Sequence, residues 1–275
     1  MHSENPVVQA LEDSIWVKIS LYATFAVASA VLVLKASAGA AFGNDPLKGA
    51  VYGFIIAVTA IVMFQVSLQT SCRRNSRVLL VLGGLIGHLV AVRAVMGLVE
   101  AGSIPELFRF FAVPFALAPM LHGVLLGRAV GSFSAVYVTL LGCLLVPRAD
   151  VLGYMILSLV AGLTSVLLAH DVRKRLQLLQ CGIHVGAITL VLGLILGPLD
   201  VTACFGPGAM DCLQMLGSGS AAALGTAIMT ALLISGLLPI FENTFQLTTD
   251  ISWLELSDLN HRLLRQMQLE APGTF

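Results

Sequence analysis

Eight stretches of mostly apolar residues constrain this chain more than any motif in it. They run near Ile15 to Leu34, Val51 to Thr70, Val78 to Val99, Phe111 to Leu126, Phe133 to Val146, Val151 to Ala169, Cys181 to Pro198 and Ala221 to Ile240. A bilayer core about 30 Å thick takes about 20 apolar residues of helix, because hydrocarbon tolerates only backbone that satisfies its own hydrogen bonds. The fourth and fifth stretches are short and separated only by Gly127 to Ser132. Together they are too long for one crossing, so a tight helical hairpin is expected there. With 57% of its residues apolar and 11% charged, against about 25% charged in an ordinary soluble domain, the chain is excluded from water-soluble folds. The expected fold is all-α: a polytopic integral membrane bundle of about eight transmembrane helices.

Basic residues near span ends are retained in the cytoplasm, so their placement predicts orientation. Arg73, Arg74 and Arg77 follow the second stretch, Arg128 the fourth, and Arg173, Lys174 and Arg175 the sixth. These loops share one face if eight spans alternate. The other face holds Lys35, Lys48, Arg109 and Arg148. Both termini are therefore expected in the cytoplasm, and Asp200 to Ser220 outside it. Ala36, Ser37 and Ala38 resemble a signal-peptide cleavage site, but Glu4, Glu12 and Asp13 stand where such a peptide wants positive charge. The net charge of zero leaves no basic footprint for nucleic acid.

Arg93, mid to late in the third stretch, is the least expected residue, since a charge in the membrane costs at least about 2.5 kcal/mol unless it snorkels or finds a partner. Two readings stand: a polar site in the bundle with nearby His88, or a long stem reaching the interface near Glu100 and Glu106. His88, His122 and His184 lie on three stretches at unequal depths, so helix-to-helix hydrogen bonds are expected of them rather than a metal site. No acidic residue stands mid-span to couple transport. The glycines, including Gly83, Gly84 and Gly87, read as close helix packing, and Pro114 and Pro119 as kinks. None of the five cysteines forms a CxxC pair; Cys204 and Cys212 share one outer loop, where both a disulfide and two free thiols are open. No catalytic and no metal-ligating residue is assigned.

After Pro239 the chain becomes polar. Thr249 or Asp250 suits the cap of a short helix over Ile251 to Leu256, and Ser257 or Asn260 the cap of another carrying Leu263, Leu264 and Met267, stopped by Pro272 and Gly273. His261 with Asp250, Glu255 and Asp258 lacks ligand spacing. This string, LLPIFENTFQLTTDISWLELSDLNHRLLRQMQLEAPGTF from Leu237 to Phe275, resembles the junction of the bacterial seven-transmembrane HD-domain phosphohydrolases, whose members hydrolyse cyclic di-AMP. Weaker similarity lies in VPFALAPMLHGVLLGR, Val113 to Arg128, and VRKRLQLLQCG, Val172 to Gly182, so that the resemblance spans roughly Val51 to Phe275.

The resemblance implies three parts: residues 1–50 as an N-terminal transmembrane helix with a short outer loop, 51–241 as a seven-transmembrane module, and 242–275 as a cytoplasmic connector to an HD domain. Asp250, Glu255, Asp258, Asn260, Pro272 and Gly273 carry over as junction positions. Three departures are visible. Arg262 stands where the family has proline, only about fifteen residues (Lys35 to Gly49) replace its usual extracytoplasmic domain, and the sequence stops at Phe275, where relatives continue into the HD domain. The two divalent metals of that domain, Mn or Fe, are expected beyond this chain. The expected role is anchoring and signal sensing in the bacterial inner membrane, with the lipid bilayer, the HD domain in cis (or in trans) and a second copy as possible partners. The competing readings are a small-solute transporter or channel, and a stand-alone membrane interaction protein.

Overall fold

The computed structural model describes residues 14–36, 45–69, 72–169, 175–196 and 209–245, with Glu12, Phe42, Val172 and Leu247 between or beside them. Among these, eight α-helices account for most of the described backbone: α1 (Ile15–Leu34), α2 (Pro46–Ser67), α3 (Asn75–Glu100), α4 (Leu117–Leu126), α5 (Arg128–Gly142), α6 (Val151–Ala169), α7 (Arg175–Ile195) and α8 (Ala209–Phe245). Six are long and apolar enough to cross a membrane; α4 and α5 are shorter. The chain is a polytopic helical membrane bundle. Its outer surface is apolar, with Val62, Leu167 and Leu232 turned outward, as lipid permits and water would not.

Successive helices run antiparallel. The Lys18 Nζ at the start of α1 donates to the Cys72 carbonyl between α2 and α3, while Arg93 late in α3 reaches the Lys35 carbonyl at the end of α1. Asn75 and Ser76, opening α3, likewise bond to the Ser14 carbonyl and the Glu12 carboxylate. At the opposite end Arg109 joins Glu106 and Asp150, tying the α3–α4 connection to the one between α5 and α6.

Small residues set the contacts. In lipid no hydrophobic force pulls two apolar helices together, so close backbone approach and interhelical hydrogen bonds take over. Gly49 and Gly53 of α2 lie against Val33 of α1, and Gly182 and Gly186 of α7 against Leu224, Ala227 and Ala231 of α8. Phe64, Phe133 and Tyr137 meet as tilted rings between α2 and α5, with centroids 5.4 and 4.7 Å apart. Ser158 and Thr139 join α6 to α5 at 2.8 Å. Most other membrane hydroxyls return to their own helix, as Thr189 does to the Val185 carbonyl at 2.9 Å.

Three boundaries correct the sequence reading. The fourth stretch, expected from Phe111, becomes helical only at Leu117, because Pro114 has no N–H for a helical ladder and its ring clashes with the preceding turn. Pro119 is tolerated in the first turn of α4, where an N–H would lack an acceptor anyway. The hairpin closes on a single residue, Gly127, at φ +93°, a backbone conformation that residues with a Cβ rarely adopt. The α5 helix therefore begins at Arg128 and not at Phe133. The last helix begins at Ala209, so Ala209 to Ser220 is helix and not loop. Gly217 and Gly219 lower the local hydropathy there, yet Leu216 packs on a small cluster around Phe111 and Ala223.

Candidate functional site

The middle of α3 carries the buried polar chemistry. Leu80, Gly84 and His88 follow at spacings of four, so they line one face of the helix. That face meets α4, which runs the other way and presents Ala118 and His122, also four apart. A Cβ on Gly84 would overlap the His122 imidazole. Its absence lets the ring reach the α3 backbone, where His122 Nε2 lies 3.2 Å from the Leu80 carbonyl. A carbonyl only accepts, so Nε2 carries the proton and Nδ1 is the acceptor. Ser134 of α5 faces that acceptor, its Oγ 2.6 Å from Nδ1 and 2.9 Å from the Val130 carbonyl, so that its single proton is shared between the two. The fully buried His122 thus ties α3, α4 and α5 together.

One turn further along α3, His88 is also fully buried. The Ala118 N–H, in the first turn of α4, donates to His88 Nδ1 over 3.5 Å. This satisfies one of the amides that a helix start leaves without an intrahelical acceptor. No partner meets His88 Nε2 among the described residues. Beside it opens an apolar cavity of about 350 Å³ between α3, α4 and α8, bounded by Leu80, Gly83, Gly87, His88, Leu237 and Phe241 among others.

Of the two readings open for Arg93, the structure shows the long stem reaching the helix end beside Glu100 and not a shared site with His88. His88 faces α4, whereas Arg93 Nη2 donates to the Lys35 carbonyl at 3.0 Å and Nη1 lies 3.7 Å from Glu100. A guanidinium on the terminal carbonyl of α1 also complements the negative end of that helix. Both partners are partly exposed, so Arg93→Gln is expected to lower stability by about 1 kcal/mol or less in thermal unfolding of the detergent-solubilised protein. His184 bonds the Gln180 carbonyl of its own α7 and not another helix. What the sequence reading missed is that His88 and His122 both bond across the α3–α4 interface; the shared spacing of four in the two helices was the available signal. The junction residues Asp250, Glu255, Asp258, Asn260, Pro272 and Gly273, and the pairing of Cys204 with Cys212, lie outside the described residues.

Between α2 and α3, Cys72 is buried and its Sγ donates to the Phe64 carbonyl at 3.2 Å. Burial pushes the thiol pKa above its ordinary value, against the opposing pull of Lys18. Thiolate is the reactive form, and raising the pKa depletes it near neutral pH. Maleimide at pH 7.5 is therefore expected to label Cys72 at least about tenfold more slowly in the folded protein than after denaturation, read by mass spectrometry of the Cys72 peptide.

The profile of a family described as a 7TM receptor with intracellular HD hydrolase matches residues 46–249, most of the chain. The cyclic-di-AMP phosphodiesterase PgpH of Listeria monocytogenes is 26% identical over 223 residues, covering 81% of this chain and 30% of that protein. The cyclic-di-AMP phosphodiesterase PgpH of Bacillus subtilis is 29% identical over 169 residues, 60% of this chain and 23% of that protein. The chain thus spans less than a third of the length of these relatives. No solved structure matches it.

Proposed function

The chain belongs to the family of seven-transmembrane receptors with an intracellular HD hydrolase, and on that premise we propose that it is the anchoring and signal-sensing part of a cyclic di-AMP phosphodiesterase. The observation that carries this reading is α8. Its 37 residues form one continuous helix, about 55 Å long at 1.5 Å per residue, well beyond a bilayer core of about 30 Å. A helix of that length exceeds the bilayer core, and its last turns, through Phe241 and Phe245, pack on the bundle and hold whatever follows in a defined orientation. The α8 helix also walls the His88 cavity and packs on α7, so a change inside the bundle reaches its last turns along one helix, whose hydrogen-bond ladder lacks one donor at Pro239.

In this reading residues 1–50 are an N-terminal helix and loop, 51–241 the seven-helix module, and 242–275 the connector to the hydrolase domain. The arginines between α2 and α3, at the start of α5 and between α6 and α7 face the cytoplasm of a bacterial inner membrane, as does the end of α8. Green fluorescent protein fused after Leu247 is expected to fluoresce, and alkaline phosphatase fused there to be inactive. The reverse pattern refutes the orientation.

Among the described residues, no group of three His, Cys, Asp or Glu side chains is placed to hold a metal ion. The described residues do not fit the two divalent metals of the family's chemistry, which this reading assigns to the hydrolase domain, and no chemical step is routed through them. At the native locus the reading frame past the Phe275 codon is expected to encode a His-Asp pair. Membranes carrying the whole product are expected to hydrolyse cyclic di-AMP when supplied with Mn(II). A whole product that carries the His-Asp pair yet leaves cyclic di-AMP intact with Mn(II) or Fe(II) refutes the proposal.

A further inference from the structure

A small cavity separates the non-helical entry to α4 from helices α7 and α8, bordered by Pro114, Phe115 and Ala116 on one side and by Thr189 and Thr230 on the other. Its polar groups come from two sources. Thr189 and Thr230 are only 5% and 4% exposed. Each spends its hydroxyl proton on its own helix, Thr189 on the Val185 carbonyl at 2.9 Å and Thr230 on the Thr226 carbonyl at 2.7 Å. A hydroxyl oxygen that has given away its proton still carries acceptor lone pairs, and no donor meets either of them among the described residues.

The second source is the backbone. A helix opens with four amides that have no intrahelical acceptor, and in hydrocarbon each must find a partner elsewhere. At α4, capped by Ala116, three of the four positions are accounted for. Leu117 donates to the Pro114 carbonyl at 3.0 Å, Ala118 donates to His88, and Pro119 has no N–H. The Ala116 N–H remains, and no acceptor meets it among the described residues. Ala116 is buried, and Thr189 stands six residues inside the end of α7 at Ile195, about 9 Å along the helix, so bulk solvent does not serve these groups.

Size and chemistry select the occupant together. The cavity offers about 10 Å³, close to the roughly 10–15 Å³ that one buried water needs. A cation cannot accept from an amide, and an anion cannot donate to a hydroxyl oxygen. No charged side chain borders the cavity among the described residues to compensate either one. A single neutral molecule that accepts once and donates twice fits all three groups.

We infer that this cavity is a binding site for one ordered water, which accepts from the Ala116 N–H and donates to Thr189 Oγ1 and Thr230 Oγ1. The water thereby joins α4 to α7 and α8 at the point where Pro114 delays the helix, and the hydrogen bonding that the unwound backbone lacks is completed across three helices.

The full 275-residue chain is crystallised from a lipid phase grown with rubidium chloride, to a resolution of about 2 Å. One density peak within about 3.2 Å of the Ala116 nitrogen and of both threonine oxygens is expected, without anomalous signal from rubidium. Absence of the peak overturns the inference, and an anomalous peak there replaces the water by a monovalent cation and overturns it equally. A second readout is thermal unfolding in detergent. Thr189→Val and Thr230→Val, which keep the side-chain volume, are each expected to lower the midpoint by about 2–4 °C, and the double variant by little more than either one. Thr59→Val is the control, because Thr59 is exposed and bonds only the Ile55 carbonyl of its own helix; a shift below about 1 °C is expected for it. Shifts at Thr189 and Thr230 that add fully, or that match the control, refute a shared water.

Discussion

Gly84→Ala is expected to lower the stability of the bundle by roughly 3 kcal/mol, whereas Gly83→Ala, one residue earlier, is expected to be neutral or stabilising by up to about 1 kcal/mol. The chemical change is the same, and alanine is the better helix former at both positions. The surroundings differ. At Gly84 the new Cβ lands on the His122 ring, 2.7 Å from its Cε1. The ring must withdraw from the Leu80 carbonyl, which leaves buried polar groups on α3 and α4 without partners and disturbs the bond to Ser134. Overpacking costs about 1–3 kcal/mol, and each stranded buried group about as much again. At Gly83 the new methyl enters empty space. Thermal unfolding in detergent, followed by retention on size-exclusion chromatography, compares the two directly. Equal stability of the two variants would show that His122 does not knit these helices.

Inserting two alanines after Glu242 in the whole gene product is expected to change cyclic di-AMP hydrolysis at least about fivefold, and inserting seven helix-forming residues to restore it. Two residues turn everything downstream by about 200° and advance it by about 3 Å, while seven return the phase to within about 20°. The insertion point lies within the continuous α8, three residues before its end at Phe245. A rigid coupling helix transmits phase, whereas a flexible tether does not. Specific activity in washed membranes across insertions of zero, two, four and seven residues gives the profile. A flat profile would remove α8 as the transmitting element and leave it an anchor.

The parts of the fold that the sequence announced are those that depend on one residue at a time. Ile15–Leu34 and Val151–Ala169 have the same bounds as apolar stretches and as helices. Single-residue transfer free energies simply add along such a segment. The α4–α5 hairpin was legible from its polar, glycine-bearing break and its total length, but its edges were not. Pro114 delays α4, and Gly127 alone makes the turn. The start of α8 was hidden because Gly217 and Gly219 weaken the hydropathy signal, although tertiary packing on Phe111 keeps that segment helical.

The candidate site was legible only as residue types. His88, His122 and Arg93 stood out as polar groups in apolar surroundings, yet nothing in the linear order says that the first two meet the same α3–α4 interface and the third belongs to the end of α1. The same limit applies to Gly83, Gly84 and Gly87, which look alike in sequence; one admits an imidazole and the other two border a cavity. By itself the sequence determined that the chain lies in a membrane as a set of antiparallel helices, because burying apolar helix in hydrocarbon is favourable whatever its neighbours are. Which helix faces meet was decided only in three dimensions. Lipid is as apolar as leucine, so the pairing rests on the shape of small residues and on hydrogen bonds such as those of His122, and both arise only when two helices are already side by side.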